Sequence, residues 1–331
     1  MAADGSDSSE SVGSRGLSLR AIFYVVMMIL IGSLTAPTAR YVVRELPIGL
    51  IPLLRFGGAG LCLLPFALRD PRFFRMLRAD RVRLGLTAAL CVPINQTFFL
   101  SGTRLVPTTH VALIYSSCPL LVLGLATLLR QERMLPSRLF GVLSSIAGLS
   151  IIALGNAQGG AGSVAWGDLL LVGAVASWAG YLTVGKPLVN RYGSLPVLAG
   201  TFLVGALFEI PIALATAPSW FPLPEVSRTA WISLAILTFV VSTLALLFQN
   251  LAMRRLDASQ VATFGNVSPL LTIGWGYVLF GERLTPTLAW GGALIFLGLL
   301  GAGRNSSAGR PPSRPGDSNH APATRELIVE A

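Results

Sequence analysis

Charge is what this sequence has least of. Only 12% of its 331 residues are Asp, Glu, Lys or Arg, about half the share of an ordinary soluble domain. With 53% AVILMFWYC besides, that composition excludes a conventional water-soluble enzyme. Lysine is almost missing: Lys186 is the single lysine among 25 basic residues. The arginines lie between apolar runs rather than beside aromatics on one polar face, so no nucleic-acid surface is expected. Histidine is confined to His110 and His320. The three cysteines, Cys62, Cys91 and Cys118, sit inside apolar runs with no Cys-x-x-Cys spacing, which excludes a disulfide scaffold and a metal cluster. A G-x-x-x-x-G-K-[ST] phosphate loop is absent too, so this chain is not expected to use ATP. No cofactor and no metal are expected.

What the sequence has instead is long apolar runs, each near the ~20 residues that cross a bilayer as a helix. Ten are expected, over residues 21–43, 47–68, 84–103, 108–129, 139–154, 166–184, 195–216, 230–253, 259–280 and 285–302. The fold class is therefore an all-α integral membrane protein in contact with lipid. The stretch 1–20 is polar and the first apolar run is not followed by a clear small-residue cleavage site, so no removed signal peptide is expected, and the Ser/Pro/Gly-rich tail 304–331 cannot bury enough apolar surface to fold. Trp166, Trp220, Trp231 and Trp290 fall near span ends, where interfacial anchors lie.

Cytoplasmic loops retain Lys and Arg. If the N-terminus lies inside, nineteen basic residues fall on the cytoplasmic side and five (Arg40, Arg44, Arg104, Arg228 and Arg283) on the outer side, with Arg55 within a span. Both termini are therefore expected in the cytoplasm of a cell whose plasma (inner) membrane holds the protein.

Sliding the chain against itself by 150 residues gives 13 identities in the 39 positions from Val111 to Leu149, among them Pro119/Pro269, Gly124/Gly274, Glu132/Glu282, Arg133/Arg283 and Pro136/Pro286. The chain thus reads as two five-helix units, 21–156 and 166–303, joined by a linker at 157–165. Five is odd, so the second unit enters the membrane from the opposite side. Inverted repeats permit two mirror-related conformations with a site at their interface facing each side in turn. A transporter working by alternating access is the expectation.

Two segments carry the repeat, VALIYSSCPLLVLGLATLLRQERMLP and VATFGNVSPLLTIGWGYVLFGERLTP. Together with LLRFGGAGL in the second span, they resemble the EamA family of the drug/metabolite transporter superfamily. The resemblance implies ten helices with cytoplasmic termini. It also implies a central cavity lined largely by the first, third, fourth, sixth, eighth and ninth spans, and export or uptake of small metabolites. Arg55 matches a position typical of that family.

Arg55 and Glu209 are the ionisable groups deepest in the spans, and a charge there costs at least ~2.5–3.5 kcal/mol unless paired or wet. Counting along two antiparallel spans puts both roughly 10–12 Å below the outer surface. They are expected either to form a fixed ion pair between the repeats or to carry a coupling proton on Glu209, with substrate contact or snorkelling as further readings. Cavity candidates are Asn95, Gln96, Tyr115, Ser116, Trp178, Tyr181, Gln249 and Asn266; each alone could merely bond a neighbouring helix, but as a set they describe a site for a small amphipathic ligand. Pro119 and Pro269 are kinks, either gates or static packing bends. The Glu132-Arg133 and Glu282-Arg283 pairs read as interfacial caps or salt bridges, and His110 as exposed or capping.

The function expected is secondary transport of an amino acid or related small metabolite, with export favoured and protons as the candidate coupling ion, by a monomer or homodimer. An integral membrane enzyme, a scaffold or a lipid flippase is the alternative. An enzyme would need a nucleophile with its base or paired acids at an accessible edge, and the sequence offers none.

Overall fold

The computed structural model describes residues 19–131, 162–216, 226–256, 258–265, 267–282 and 285–303, with isolated positions between 140 and 151. The fifth expected span falls almost wholly outside these residues, as do the chain termini, Glu132, Arg133 and the cavity candidate Asn266.

Among the described residues the elements are all helical, and seven helices are long and apolar enough to cross a membrane: Leu19–Glu45, Leu50–Leu68, Arg81–Leu105, Thr108–Leu128, Gly162–Tyr192, Ser194–Thr216 and Arg228–Met253. The ninth expected span is divided into Ala258–Gly265 and Val267–Phe280, and the tenth appears as Pro286–Gly303. Large apolar side chains such as Leu61, Leu207, Leu214 and Val278 stand exposed around the bundle, which is stable only against lipid. Gly162–Tyr192 exceeds its expected span by several residues at either end; at its C-terminal end the apolar-run criterion stops at Lys186 and Arg191, whereas a helix can extend past the bilayer.

The helices are interrupted where the sequence weakens the backbone ladder. Pro37 has no N–H for the carbonyl of Ser33, and the first span breaks there into Leu19–Gly32 and Thr35–Glu45. The released Ser33 carbonyl accepts from Thr272 Oγ1 at 3.2 Å, and Ser33 Oγ accepts from Trp275 Nε1 at 3.3 Å, so a helix of the second half satisfies the gap. Pro93 sits in a π-helical turn, Leu90–Ile94, inside the third span. A second π segment, Ile236–Ala245, carries a Thr243 Oγ1 donation to Thr238 O at 3.0 Å, five residues back. π turns often mark functional positions, and both lie beside the polar groups described below.

Pro119 does not bend a continuous helix. It occupies the first turn of a new segment, Cys118–Leu128, after a break at Ser116–Ser117. Pro269 likewise stands third in Val267–Phe280.

Between Leu68 and Arg81 a short helix, Pro71–Ala79, tucks Phe73 and Met76 into the bundle. Asp70 caps it, accepting from the Arg72 N–H at 3.0 Å and from the Arg72 guanidinium at 2.7 Å; that guanidinium holds the Asp70 carboxyl below the usual carboxylate range.

The two halves interlock through close helix pairs, Leu50–Leu68 against Ser194–Thr216 and Asn95–Leu105 against Gly162–Tyr192. A β-carbon on Gly205 would lie 2.4 Å from Val92 Cγ2, whereas one on Gly124 meets nothing within 4 Å. Gly205→Val is therefore expected to destabilise the folded protein by about 1–3 kcal/mol through overpacking, and Gly124→Ala to be neutral or stabilising by up to ~1 kcal/mol, both read as unfolding midpoints in detergent.

Candidate functional site

A cavity of about 190 Å³ opens where the two halves meet. Met28, Ile29, Val111, Leu182, Val241, Leu246 and Val261 supply much of its apolar wall, and Arg55, Asn95, Gln96, Tyr115, Trp178 and Gln249 its polar groups. Every expected lining span contributes, as does the second span through Arg55 and Phe56.

Arg55 organises the polar side. Its side chain is 3% exposed, and it donates from Nε to Ser242 Oγ at 2.7 Å and from Nη1 to Gln96 Oε1 at 3.2 Å. The guanidinium also lies 4.8 Å from the Phe56 ring centroid. Gln96 passes the chain on, donating from Nε2 to Asn95 Oδ1 at 2.7 Å. Asn95 Nδ2 in turn donates to the Ala174 carbonyl at 2.7 Å, with Ser177 Oγ and Tyr115 Oη each at 3.4 Å. One connected network thus ties five spans around the cavity. Its two asparagine and glutamine members follow the π turn directly: the extra residue at Leu90–Ile94 rotates them relative to an uninterrupted helix.

Among the described residues no carboxylate lies within ion-pair distance of Arg55. The expected ion pair with Glu209 is not formed. Glu209 is fully buried in Ser194–Thr216, both of its carboxyl oxygens lack a hydrogen-bond partner, and it does not line the cavity. The two residues stand at matching heights, since Gly57 packs on Ala206 and Gly49 on Ala213, bracketing residue 209. Rotation decides the outcome: Arg55 and Gly57 are about 200° apart around a helix, so when Gly57 faces Ser194–Thr216 the Arg55 side chain points away from it.

The remaining candidates divide. Trp178 lines the cavity with Tyr181 packed behind it, ring centroids 4.9 Å apart. Tyr181 donates its hydroxyl to Asn250 Oδ1 at 3.3 Å. Gln249 lines the cavity, and its Nε2 has no hydrogen-bond partner although the residue is only 7% exposed. Ser116 donates to the Leu113 carbonyl at 2.5 Å, closing its own helical turn rather than facing the cavity. Asn266 lies outside the described residues.

Two features escaped sequence reasoning, and a third met its expectation. Ser242 reads as one more small residue in an apolar run, yet it accepts from Arg55. His110 is buried rather than exposed, with Nδ1 2.8 Å from Asp168 Oδ1; Asp168 stands two residues inside its expected span. Glu282 ion-pairs with Arg40 and also accepts from the Thr108 and Thr109 N–H groups at 2.9 Å each, capping the start of the Thr108–Leu128 span from the other half. For Glu282 this is the interfacial cap or salt bridge expected from its position at a span end.

A model of the EamA-like transporter family matches the chain twice, over residues 19–154 and 165–304. Curated relatives include the uncharacterized transporter YyaM of Bacillus subtilis, 26% identical over 210 residues that make up 63% of this chain and 68% of that one. Another is a riboflavin transporter of Brucella anthropi, 23% identical over 71% of this chain and 80% of its own. A WAT1-related protein of Arabidopsis thaliana is 24% identical over 65% of this chain and 61% of its own. One solved crystal structure superposes with a TM-score of 0.62 over 86% of this chain and 96% of the other at 23% identity, a likeness of fold.

Ser242→Ala is expected to leave the buried Arg55 Nε–H without an acceptor and to cost about 1.5–3 kcal/mol, the range for a hydrogen bond to a charged group. Ser242→Thr keeps the hydroxyl and is expected to lose less, as measured by chemical unfolding in detergent.

Proposed function

The chain belongs to the EamA-like transporter family, and we propose that within it the protein is a secondary carrier of a small carboxylate-bearing metabolite, an amino acid or close derivative. The two matched segments act as inverted five-helix repeats, 21–156 and 166–303, that expose the cavity to one side of the membrane at a time. Export across the plasma (inner) membrane, with both termini in the cytoplasm, is the direction and topology we assign, on the distribution of basic residues. The family consists of transporters, and an enzymatic or scaffolding role is set aside with it.

The observation that carries this reading is the guanidinium of Arg55, which borders the cavity among neutral partners. A buried charge held only by neutral groups is costly unless an opposite charge or water completes it, and a carboxylate entering the cavity supplies that charge. Gln249 offers an unpartnered amide donor on the same wall, and the Trp178 face gives an apolar side group a surface to rest on. The cavity suits a compact solute, and a polyanion would require several convergent cations. The aromatic wall favours a flat heterocycle as the second reading, the class named for the Brucella anthropi relative.

Counterflow of labelled amino acids, other small carboxylates and riboflavin into proteoliposomes tests both. Exchange of a carboxylate that falls at least about tenfold in apparent affinity in Arg55→Met, one lost charge-assisted contact being worth ~1.4 kcal/mol or more, is the expected result. Counterflow of none of these solutes, or an Arg55→Met variant equal to wild type, would overturn it.

A further inference from the structure

Arginine crowds one end of the bundle. Between the spans Leu50–Leu68 and Arg81–Leu105 an arginine stands at every third position from Arg69 to Arg81, with Arg83 beyond, and all six are exposed. Three of them ride the connecting helix Pro71–Ala79. At about 100° per residue, Arg72, Arg75 and Arg78 fall within roughly 120° of its circumference. Phe73 and Met76 turn to the bundle and are buried, whereas Phe74 and Leu77 fill the sector between Phe73 and Arg78 and are exposed. The helix thus carries a packed face, a basic face and an exposed apolar edge that joins them.

This charge is not neutralised within the protein. Among the described residues the carboxylates at this end are Asp70 and Asp80. Asp70 is taken by Arg72 at 2.7 Å, and Asp80 accepts from Arg191 at 2.9 Å and from the Tyr192 hydroxyl at 2.6 Å. Arg69, Arg75, Arg78, Arg81 and Arg83 have no carboxylate within ion-pair distance among those residues. Like charges set so close repel one another unless anions gather beside them. Phe66 and Leu68 end the preceding span exposed, and Val82 opens the next one exposed, so the apolar edge of the bilayer reaches the level of the connector. The anions that meet the arginines there are those of the membrane surface.

We propose that this arginine-rich connector is a binding site for the headgroups of anionic phospholipids, with Phe74 and Leu77 at the acyl boundary and the guanidiniums on the phosphates. Guanidinium forks match phosphate oxygens bidentately, and a helix with a basic face and an apolar aromatic edge lies in the interface of an anionic membrane. The topology assigned above turns this end toward the cytoplasmic leaflet, whose surface potential is negative. The site also bears on the joint between the halves. A β-carbon on Gly200 would lie 2.7 Å from Met76 Cε, and Asp80, just past the same helix, is bonded to Arg191 and Tyr192 of the second half. A headgroup held by the arginines therefore rests on a piece of the first half that is fastened to the second. The inference goes beyond the carrier reading and does not depend on it.

Native mass spectrometry of the full chain in mild detergent, titrated with phosphatidylglycerol or with phosphatidylcholine of the same acyl chains, reads the site directly. Phosphatidylglycerol is expected to be retained with at least about tenfold higher apparent affinity, roughly the effect of two basic residues at a membrane surface. That preference is expected to fall roughly fivefold in Arg75→Gln and to vanish in Arg75→Gln/Arg78→Gln. Arg44→Gln/Arg228→Gln removes the same charge from exposed positions at the opposite end and is expected to keep it. Equal affinities for the two lipids in wild type would overturn the proposal. So would a preference lost equally in both double variants, or one that inorganic phosphate abolishes where chloride of the same ionic strength does not, since the site would then take free phosphate. Should Arg75→Gln/Arg78→Gln not fold, Arg78→Gln alone decides by the same fivefold fall. No solute enters the measurement: a failed solute screen leaves this site standing, and equal lipid affinities leave the carrier reading standing.

Discussion

A guanidinium deep inside a membrane bundle must be satisfied, and in this protein it is satisfied by neutral groups alone among the described residues. Arg55 reaches Ser242 on one side and Gln96 on the other, and the arrangement of the surrounding spans follows from the need to bring those acceptors to it. The π turns at Leu90–Ile94 and Ile236–Ala245 set the rotation of the residues next to the charge. The hydrogen bonds of Gln96 and Asn95 carry the constraint to Ala174 and Ser177 on the sixth expected span. A polar network of this kind fixes which faces meet, at the expense of stability that an apolar core would have supplied.

Around that centre, the two halves are joined by contacts that differ in character. Between the close helix pairs the interface is largely apolar and glycine-rich, with the bonds of Asn95 to Ala174 and Ser177 its polar part. At the Thr108 end it depends on Glu282 and Asp168, each a carboxylate of the second half gripping the start of one helix of the first. Near Ser33 a carbonyl left over by Pro37 is taken by Thr272. Such polar contacts at helix breaks can be exchanged one for another at little net cost, whereas the packed glycine seams cannot. A bundle that is to move between two arrangements would keep the seams within its moving parts and place the polar contacts where they separate.

Much of this was legible from sequence. Apolar run length gave the seven membrane-length helices seen among the described residues, because the bilayer imposes that length, and the family model matches the chain twice, over residues 19–154 and 165–304. Six of the proposed polar positions border the cavity: Arg55, Asn95, Gln96, Tyr115, Trp178 and Gln249. Two of the failures share one cause. Depth along a helix is readable by counting, but rotation about its axis is not, least of all after a π turn adds a residue. Arg55 and Glu209 were therefore matched in height and wrongly faced. Ser116 was counted with the cavity although its hydroxyl closes on Leu113. His110 stands at a span end, where exposure is the expectation, and what decides its burial is the neighbouring helix from the other half that carries Asp168.

The account stands on the cavity charge of Arg55 being completed by a solute anion. Calorimetric titration of the purified protein with a matched carboxylate and carboxamide, identical in every other atom of the side group, addresses that directly. The account predicts that the carboxylate binds at least about tenfold more tightly, the worth of one charge-assisted contact, and that the preference vanishes in Arg55→Gln. Equal affinities in wild type, or a carboxylate preference unchanged in Arg55→Gln, would contradict it.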